Sequence, residues 1–192
     1  MVKSKSKKID TWKTKKWYEV FTPSMFDNTK ICDTLASNST NLIGRVVEAT
    51  LRDLMGDFSK QHIKLEFQID KVEGDKAYTK FKSQSLSRDY MRSQIRRKTT
   101  RVEGITDVIT KDGHNLRVKT IALAQGRAQT AQEKDIRKIM LNKVIESAKN
   151  APLDIFIKNV VMGKISTDMY KSSNKIYPLK RVEIRKVIKI GS

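Results

Sequence analysis

The sequence predicts an α+β fold, a central antiparallel β-barrel of about six or seven strands with flanking helices. Three observations carry this prediction. Residues 62–70 and 181–190 alternate apolar and polar side chains, the period of half-buried strands. Two turn signals, Glu73-Gly74-Asp75 and Lys111-Asp112-Gly113-His114, link such runs into hairpins. Ile136, Met140 and Val144 stand at i, i+4 and i+8, the stripe of a helix lying on a core. Hairpin-linked strands in this number lose their free edges by closing into a barrel.

Taken in order, Trp17-Tyr18-Glu19-Val20-Phe21 reads as the first strand, ended by Pro23, and 44–51 as the second. Along 62–70, Ile63, Leu65, Phe67 and Ile69 share one face, and a return strand covers 76–82. A helix is expected over 86–98, where Leu86, Tyr90, Met91 and Ile95 share a face. Strands at 102–110 and 115–124 flank Asp112-Gly113, a favoured two-residue hairpin turn because both positions tolerate positive φ. The longest helix runs over about 129–149 and stops at Asn150 and Pro152. At 153–162 β-branched content suits a strand, but Leu153, Ile157, Val160 and Val161 fit helical spacing, and the helical reading is taken. A short helix at 165–173 precedes a final strand at 181–190. Val182, Ile184, Ile188 and Ile190 of that strand face one way, and Arg181, Glu183, Arg185 and Lys189 the other.

The chain has 192 residues, of which 38% are apolar, enough for one modest core. Residues 1–16 form a basic arm with little to bury, expected to be disordered when free. Residues 17–192 are expected to form a single α+β domain, with a β-rich part at 17–125 and a helical part with the final strand at 126–192. Lys and Arg exceed Asp and Glu by 40 to 21, a net charge of +19. That much self-repulsion opposes compaction and points to a polyanionic partner. Nucleic acid fits best, because each neutralised phosphate releases a condensed counterion. Cys32 is the only cysteine, so an internal disulfide is excluded. An anionic membrane surface is the second candidate, but nucleic acid is preferred and no apolar run reaches the roughly 20 residues that span a bilayer, so no membrane partner is expected.

The positive charge is clustered. Arg88, Arg92 and Arg96 at i, i+4 and i+8 would form one cationic ridge on a helix, with Arg97, Lys98 and Arg101 beside it. Like charges at that spacing disfavour a helix, and phosphates between them would offset the repulsion. Arginine suits phosphate through its planar fork of donors. The arm contributes Lys3, Lys5, Lys7, Lys8, Lys13, Lys15 and Lys16. Arg127 leads a more neutral set on and before the long helix, and Arg181, Arg185 and Lys189 form the polar face of the final strand, with Lys180 and Lys186 beside it. Trp12 sits among lysines and suits stacking on an unpaired base, whereas Trp17 and Tyr18 are read as core residues.

Catalysis finds no support. His62 and His114 have no nucleophile nearby in sequence, and two histidines with one cysteine give no zinc spacing. No cofactor or metal is expected. Asp53, Asp57, Asp107 and Asp112 share no motif that would make a metal-dependent nuclease, and no residue set fills the roles of an active site.

Lys16-Trp17-Tyr18-Glu19-Val20 followed by Pro23-Ser24-Met25-Phe26 resembles the opening of the S-three-a-e (eukaryotic-type S-one) family of small-subunit ribosomal proteins. The stretch from Gly44 to Leu54, then Arg96-Arg97-Lys98, Thr110-Lys111-Asp112-Gly113 and Ile136-Arg137-Lys138-Ile139-Met140, follow in the family's order. Ile176-Tyr177-Pro178-Leu179 with Val182-Glu183-Ile184-Arg185-Lys186-Val187 resembles its C-terminal signature. The resemblance implies a structural constituent of the small ribosomal subunit, on its platform near the messenger RNA exit. Ribosomal RNA and neighbouring ribosomal proteins are then partners, messenger RNA is a further candidate, and the location is the cytoplasmic ribosome. It also implies a central barrel. The chain ends soon after Arg185-Lys186-Val187, where eukaryotic members carry a longer tail, so an archaeal form is expected. The alternative from charge alone is a free regulatory or chromatin protein that coats nucleic acid.

Overall fold

The computed structural model describes residues 12–191; Lys3, Lys5, Lys7 and Lys8 lie outside them. Among the described residues eight strands and five α-helices follow one another as β1 (Lys16–Phe21), β2 (Lys30–Ala36), β3 (Val46–Thr50), α1 (Leu51–Met55), β4 (Ile63–Glu73), β5 (Lys76–Leu86), α2 (Arg88–Gln94), β6 (Arg101–Ile109), β7 (Asn115–Ala124), α3 (Thr130–Asn150), α4 (Leu153–Met162), α5 (Lys164–Ser173) and β8 (Leu179–Ile190). The α+β class follows from this content. The chain divides into two compact units. One holds the described residues through Val47 together with Phe67–Lys80; the other holds Glu48–Glu66 and the chain from Phe81 onward.

In the first unit β1 pairs antiparallel with β2 and parallel with the start of β5. The β1–β2 register slips at Val20/Phe21, where Ile31 is the extra residue. Tyr18, Val20, Ala36, Leu42, Ile69 and Ala77 form its core. Trp17, one residue from Tyr18, points the opposite way and is 64% exposed, because successive strand side chains alternate faces. The expectation that Trp17 belongs to the core is therefore corrected. β2 has no counterpart among the expected strands: Lys-Ile-Cys-Asp-Thr-Leu-Ala lacks alternation, and only Ala36 in it is fully buried.

The second unit is built on β5-β8-β7-β6. β6 pairs with β7 over its whole length, from Arg101↔Leu123 to Ile109↔Asn115, and β7 pairs with β8 from Ala124↔Leu179 to Asn115↔Ile190. Val102, Ala122 and Val182 thus make one cross-strand row, and Gly104, Thr120 and Ile184 the next. This face is covered by α3 and α5. Ile136, Met140 and Val144 of α3 are completely buried, and Ala148 continues their stripe. Residues 153–162 are helical. The N-terminus of α4 is capped from the β6–β7 turn, where Asp112 Oδ2 accepts the Leu153 N–H at 2.9 Å.

Three expectations fail here. Among the described residues no strand pairing joins β6 back to β2 or β3, so the barrel does not close. The Asp112-Gly113 turn is not the two-residue type: only Gly113 has positive φ, at 78°, and Thr110 pairs with His114 across a wider loop. The alternation of β8 also breaks. Lys119 pairs with Lys186 but Thr120 with Ile184, which leaves Arg185 as the extra residue of a β-bulge. Beyond it the phase inverts, so Val187 is buried while Ile188 and Ile190 are not. Lys189 then falls opposite Leu116, on the helix-covered face, and does not share a face with Arg181.

Candidate nucleic-acid interface

The other face of β6-β7-β8 positions the basic residues. Register places Glu103, Ile121 and Glu183 in one row, and Arg101, Leu123 and Arg181 in the next. Apolar Ile121 and Leu123 form the middle of this face, and Met91 of α2 buries against them with Leu86 and Tyr90 packed alongside. Ser87 starts α2 by accepting the Tyr90 N–H at 3.3 Å, a standard N-cap. Fixed at that point, the helix aims Arg88 and Arg92, one turn apart, along the edge of the apolar patch.

The result is a groove of about 440 Å³ whose lining includes Arg88, Arg92, Arg101, Arg185 and Lys186. Glu103 is the one acid among its described lining residues. Glu103 Oε1 accepts from Arg185 at 3.1 Å and lies 3.5 Å from Arg101 Nε. Its charge is already compensated, so the groove presents a net excess of cations with guanidinium forks open to solvent. Sequence reasoning put Arg88, Arg92, Arg101 and Arg185 forward from separate runs. It set Lys186 beside the strand's basic face without choosing it as a contact, and the bulge at Arg185 turns it onto this face.

Other expected residues fall elsewhere. Arg96 does not extend the ridge of Arg88 and Arg92. The helix ends at Gln94, Ile95 is extended at φ −80° and ψ 122°, and Arg96, Arg97 and Lys98 enter a turn with Lys98 at φ 63°. The cause is tertiary: Thr100 N–H bonds to Gly126 O at 3.0 Å and Thr100 O accepts from Ala124 N–H at 3.0 Å, which draws the chain into the sheet before another helical turn fits. Arg127 is exposed between β7 and α3, outside the groove lining. Arg181 is engaged by the Tyr90 hydroxyl and by Glu183. In the first unit Trp12, Lys13, Lys15 and Lys16 are exposed, and Lys15 Nζ sits 4.3 Å from the Trp12 ring centre, a cation–π contact.

His62 stacks on Tyr90, whose hydroxyl donates to Glu183 at 2.7 Å. Burial and the neighbouring Glu183 carboxylate push the Tyr90 hydroxyl up to about 12. The acids considered for metal binding have local duties. Asp53 caps α1 through Thr50, Asp57 accepts the Ser59 N–H, Asp107 holds Arg117 in a fork with both contacts at 2.8 Å, and Asp112 caps α4. The fork holds the Asp107 carboxyl below its usual range. Among the described residues no three metal-ligating side chains converge, and no helix is long and apolar enough to cross a membrane.

Comparison with known proteins adds a family. Residues 3–191 match the model of the Ribosomal S3Ae family. A protein of Methanothrix thermoacetophila named small ribosomal subunit protein eS1 is 45% identical over 186 residues, 97% of this chain and 88% of the relative. One of the same name from Methanobrevibacter smithii is 45% identical over 97% of each chain. Another from Staphylothermus marinus is 47% identical over 92% of this chain and 84% of its own length.

Proposed function

This chain belongs to the Ribosomal S3Ae family, and we propose on that footing that it is a structural constituent of the small ribosomal subunit which grips ribosomal RNA by the groove of Arg88, Arg92, Arg101, Arg185 and Lys186. The observation that carries this reading is the convergence of five cationic side chains from α2, β6 and β8 on one groove whose single described acid is already paired. Such a surface binds phosphates by position and charge, with little base readout. Arg96, Arg97, Lys98, Arg127 and Arg181 add contacts in the second unit, and the lysines of the arm at 1–16 and Trp12 make contacts of their own. Lys189 reaches RNA only from the opposite face of the sheet. The RNA-binding body runs over 17–192 with the arm ahead of it. The subunit's platform near the messenger RNA exit is the proposed location in the cytoplasmic ribosome, with neighbouring ribosomal proteins as further partners. The protein works there without catalysis.

Sedimentation tests this reading. The full chain should co-migrate with small subunits at moderate salt and leave them as salt rises, because each phosphate contact carries a counterion penalty. A chain that spreads over all cellular nucleic acid, without preference for the subunit, would identify a general coating protein instead.

A further inference from the structure

A second cavity, of about 360 Å³, lies in the second unit between β5, β8 and the junction of α4 with α5. Its size is near the lower end of the roughly 300–1,000 Å³ typical of ligand pockets. Val160, Met162 and Ile184 give it apolar walls, and Lys60, Lys180 and Arg181 also line it. Lys60 lies across Met162, with Nζ 3.9 Å from the sulfur and 3.6 Å from Asp57. The acid of the lining, Glu183, is occupied by the Tyr90 hydroxyl and Arg181.

Two independent features mark the cavity as unfinished. Gln84 lines it while only 2% exposed, and its Oε1 has no hydrogen-bond partner among the described residues. Buried amide oxygens are nearly always matched, so an orphan asks for an explanation. The β5–β8 register sets Gln84 opposite Val187, which fixes it on the buried side of the strand. The second feature is the start of α5. Gly163, Ser166 and Thr167 line the cavity, and no side chain caps the helix. The first N–H groups of a helix have no acceptor within it, and such an end favours an anion.

An occupant that completes the cavity needs a hydrogen-bond donor for Gln84, an apolar body for the Val160, Met162 and Ile184 walls, and an anionic group for the α5 end and the lysines. We propose that it receives one unpaired ribonucleotide of a bound RNA strand. The base lies against the apolar wall and donates to Gln84 Oε1, and a phosphate rests on the first turn of α5. Every base carries an N–H on its pairing edge, and unpaired RNA nucleotides are read along those edges. The inference rests on the RNA-binding reading above and deepens it.

The test uses the ¹⁵N-labelled full chain, titrated with the four 5′-ribonucleoside monophosphates, a short single-stranded RNA and inorganic phosphate. Nucleotides and RNA should move both the Gln84 side-chain amide and the backbone signals of Ser166 and Thr167. Phosphate should move only the latter. Gln84→Leu removes the unmatched buried Oε1 and leaves a side chain of similar size, so its melting temperature should not fall. It should bind the base-carrying probes about tenfold more weakly and phosphate as before. RNA should bind more tightly than any mononucleotide at the same signals. Phosphate moving Gln84 as far as nucleotides do, unchanged RNA affinity in Gln84→Leu, or a mononucleotide matching the strand would each overturn the proposal. If ribosomal RNA still binds with a steep salt dependence while Gln84 stays silent, the cavity assignment alone fails. If that binding is absent too, the wider reading fails with it.

Discussion

The imidazole of His62 lies stacked on the ring of Tyr90, with centres 4.0 Å apart and planes inclined by 21°. The stack ties the start of β4 to α2, the helix that carries Arg88 and Arg92. His62 O also accepts the Ser87 N–H at 2.8 Å, at the N-cap of that helix. The geometry of the arginine groove thus depends on a histidine that never enters it.

Burial of His62 in that position makes stability depend on pH. Burial holds the His62 imidazole below its ordinary 6.5, opposed by Glu183 and the Ser59 backbone and aided by Arg181. The unfolded chain therefore takes up the proton first as pH falls. Stabilisation from neutral His62 is complete above about pH 6.5 and fades as pH drops towards the folded value. The melting temperature should fall between about pH 7.5 and pH 5.5, and His62→Phe, which keeps a ring on Tyr90, should fall less over that window. Asp53 and Asp107 are held below the usual carboxylate range and act only in stronger acid. Equal losses in both chains would refute the assignment.

Binding to an rRNA fragment should become less salt-sensitive as groove arginines are removed. Arg88→Ala, Arg92→Ala and Arg185→Ala should each flatten the plot of log affinity against log salt by about 0.7–0.9. Lys143→Ala is the control. Its ammonium is held by Glu146 at 2.7 Å, and the slope should not change. An unchanged slope across the arginine series would remove the groove from the interface.

α3 lies close on the sheet at Gly104. A Cβ there would sit 3.0 Å from Leu141 Cδ2 and 3.0 Å from Thr120 Oγ1. Gly104→Val should destabilise by about 1–3 kcal/mol through overpacking. Gly104→Ala should cost less, because the Leu141 methyl ends a flexible side chain. Denaturant midpoints at unchanged slope read both; a Val variant as stable as the parent would contradict the close approach.

Asp112→Ala should weaken the chain by about 1 kcal/mol, the worth of a lost helix cap. Asp112→Asn, whose side-chain oxygen still accepts the Leu153 N–H, should recover most of it. Were Asp112 a metal ligand, both variants would instead abolish a metal response that the parent shows, with stability unaffected.

Much of the architecture is written in local patterns. Residues 115–124 carry five alternating side chains that are all buried, and the expected and observed ends of β7 coincide. The stripe of Ile136, Met140 and Val144 fixed the buried face of α3 for the same reason, since periodicity records which side each residue turns inward. The ambiguity at 153–162 resolves to helix once Asp112 caps its start from 41 positions earlier.

The charge, its clustering and the family resemblance were present in the amino-acid order itself, because composition and linear motifs need no partner to be seen. Which cations share a groove was settled only by folding. Arg96 leaves the ridge because Thr100 is pulled into a ladder with Gly126 and Ala124. Lys186 joins Arg185, and Lys189 turns away, because one bulge inverts the strand's phase. The open sheet has the same origin. Pairing between distant strands is chosen by long-range packing and register, and a one-residue slip exchanges the two faces, which no local pattern reports.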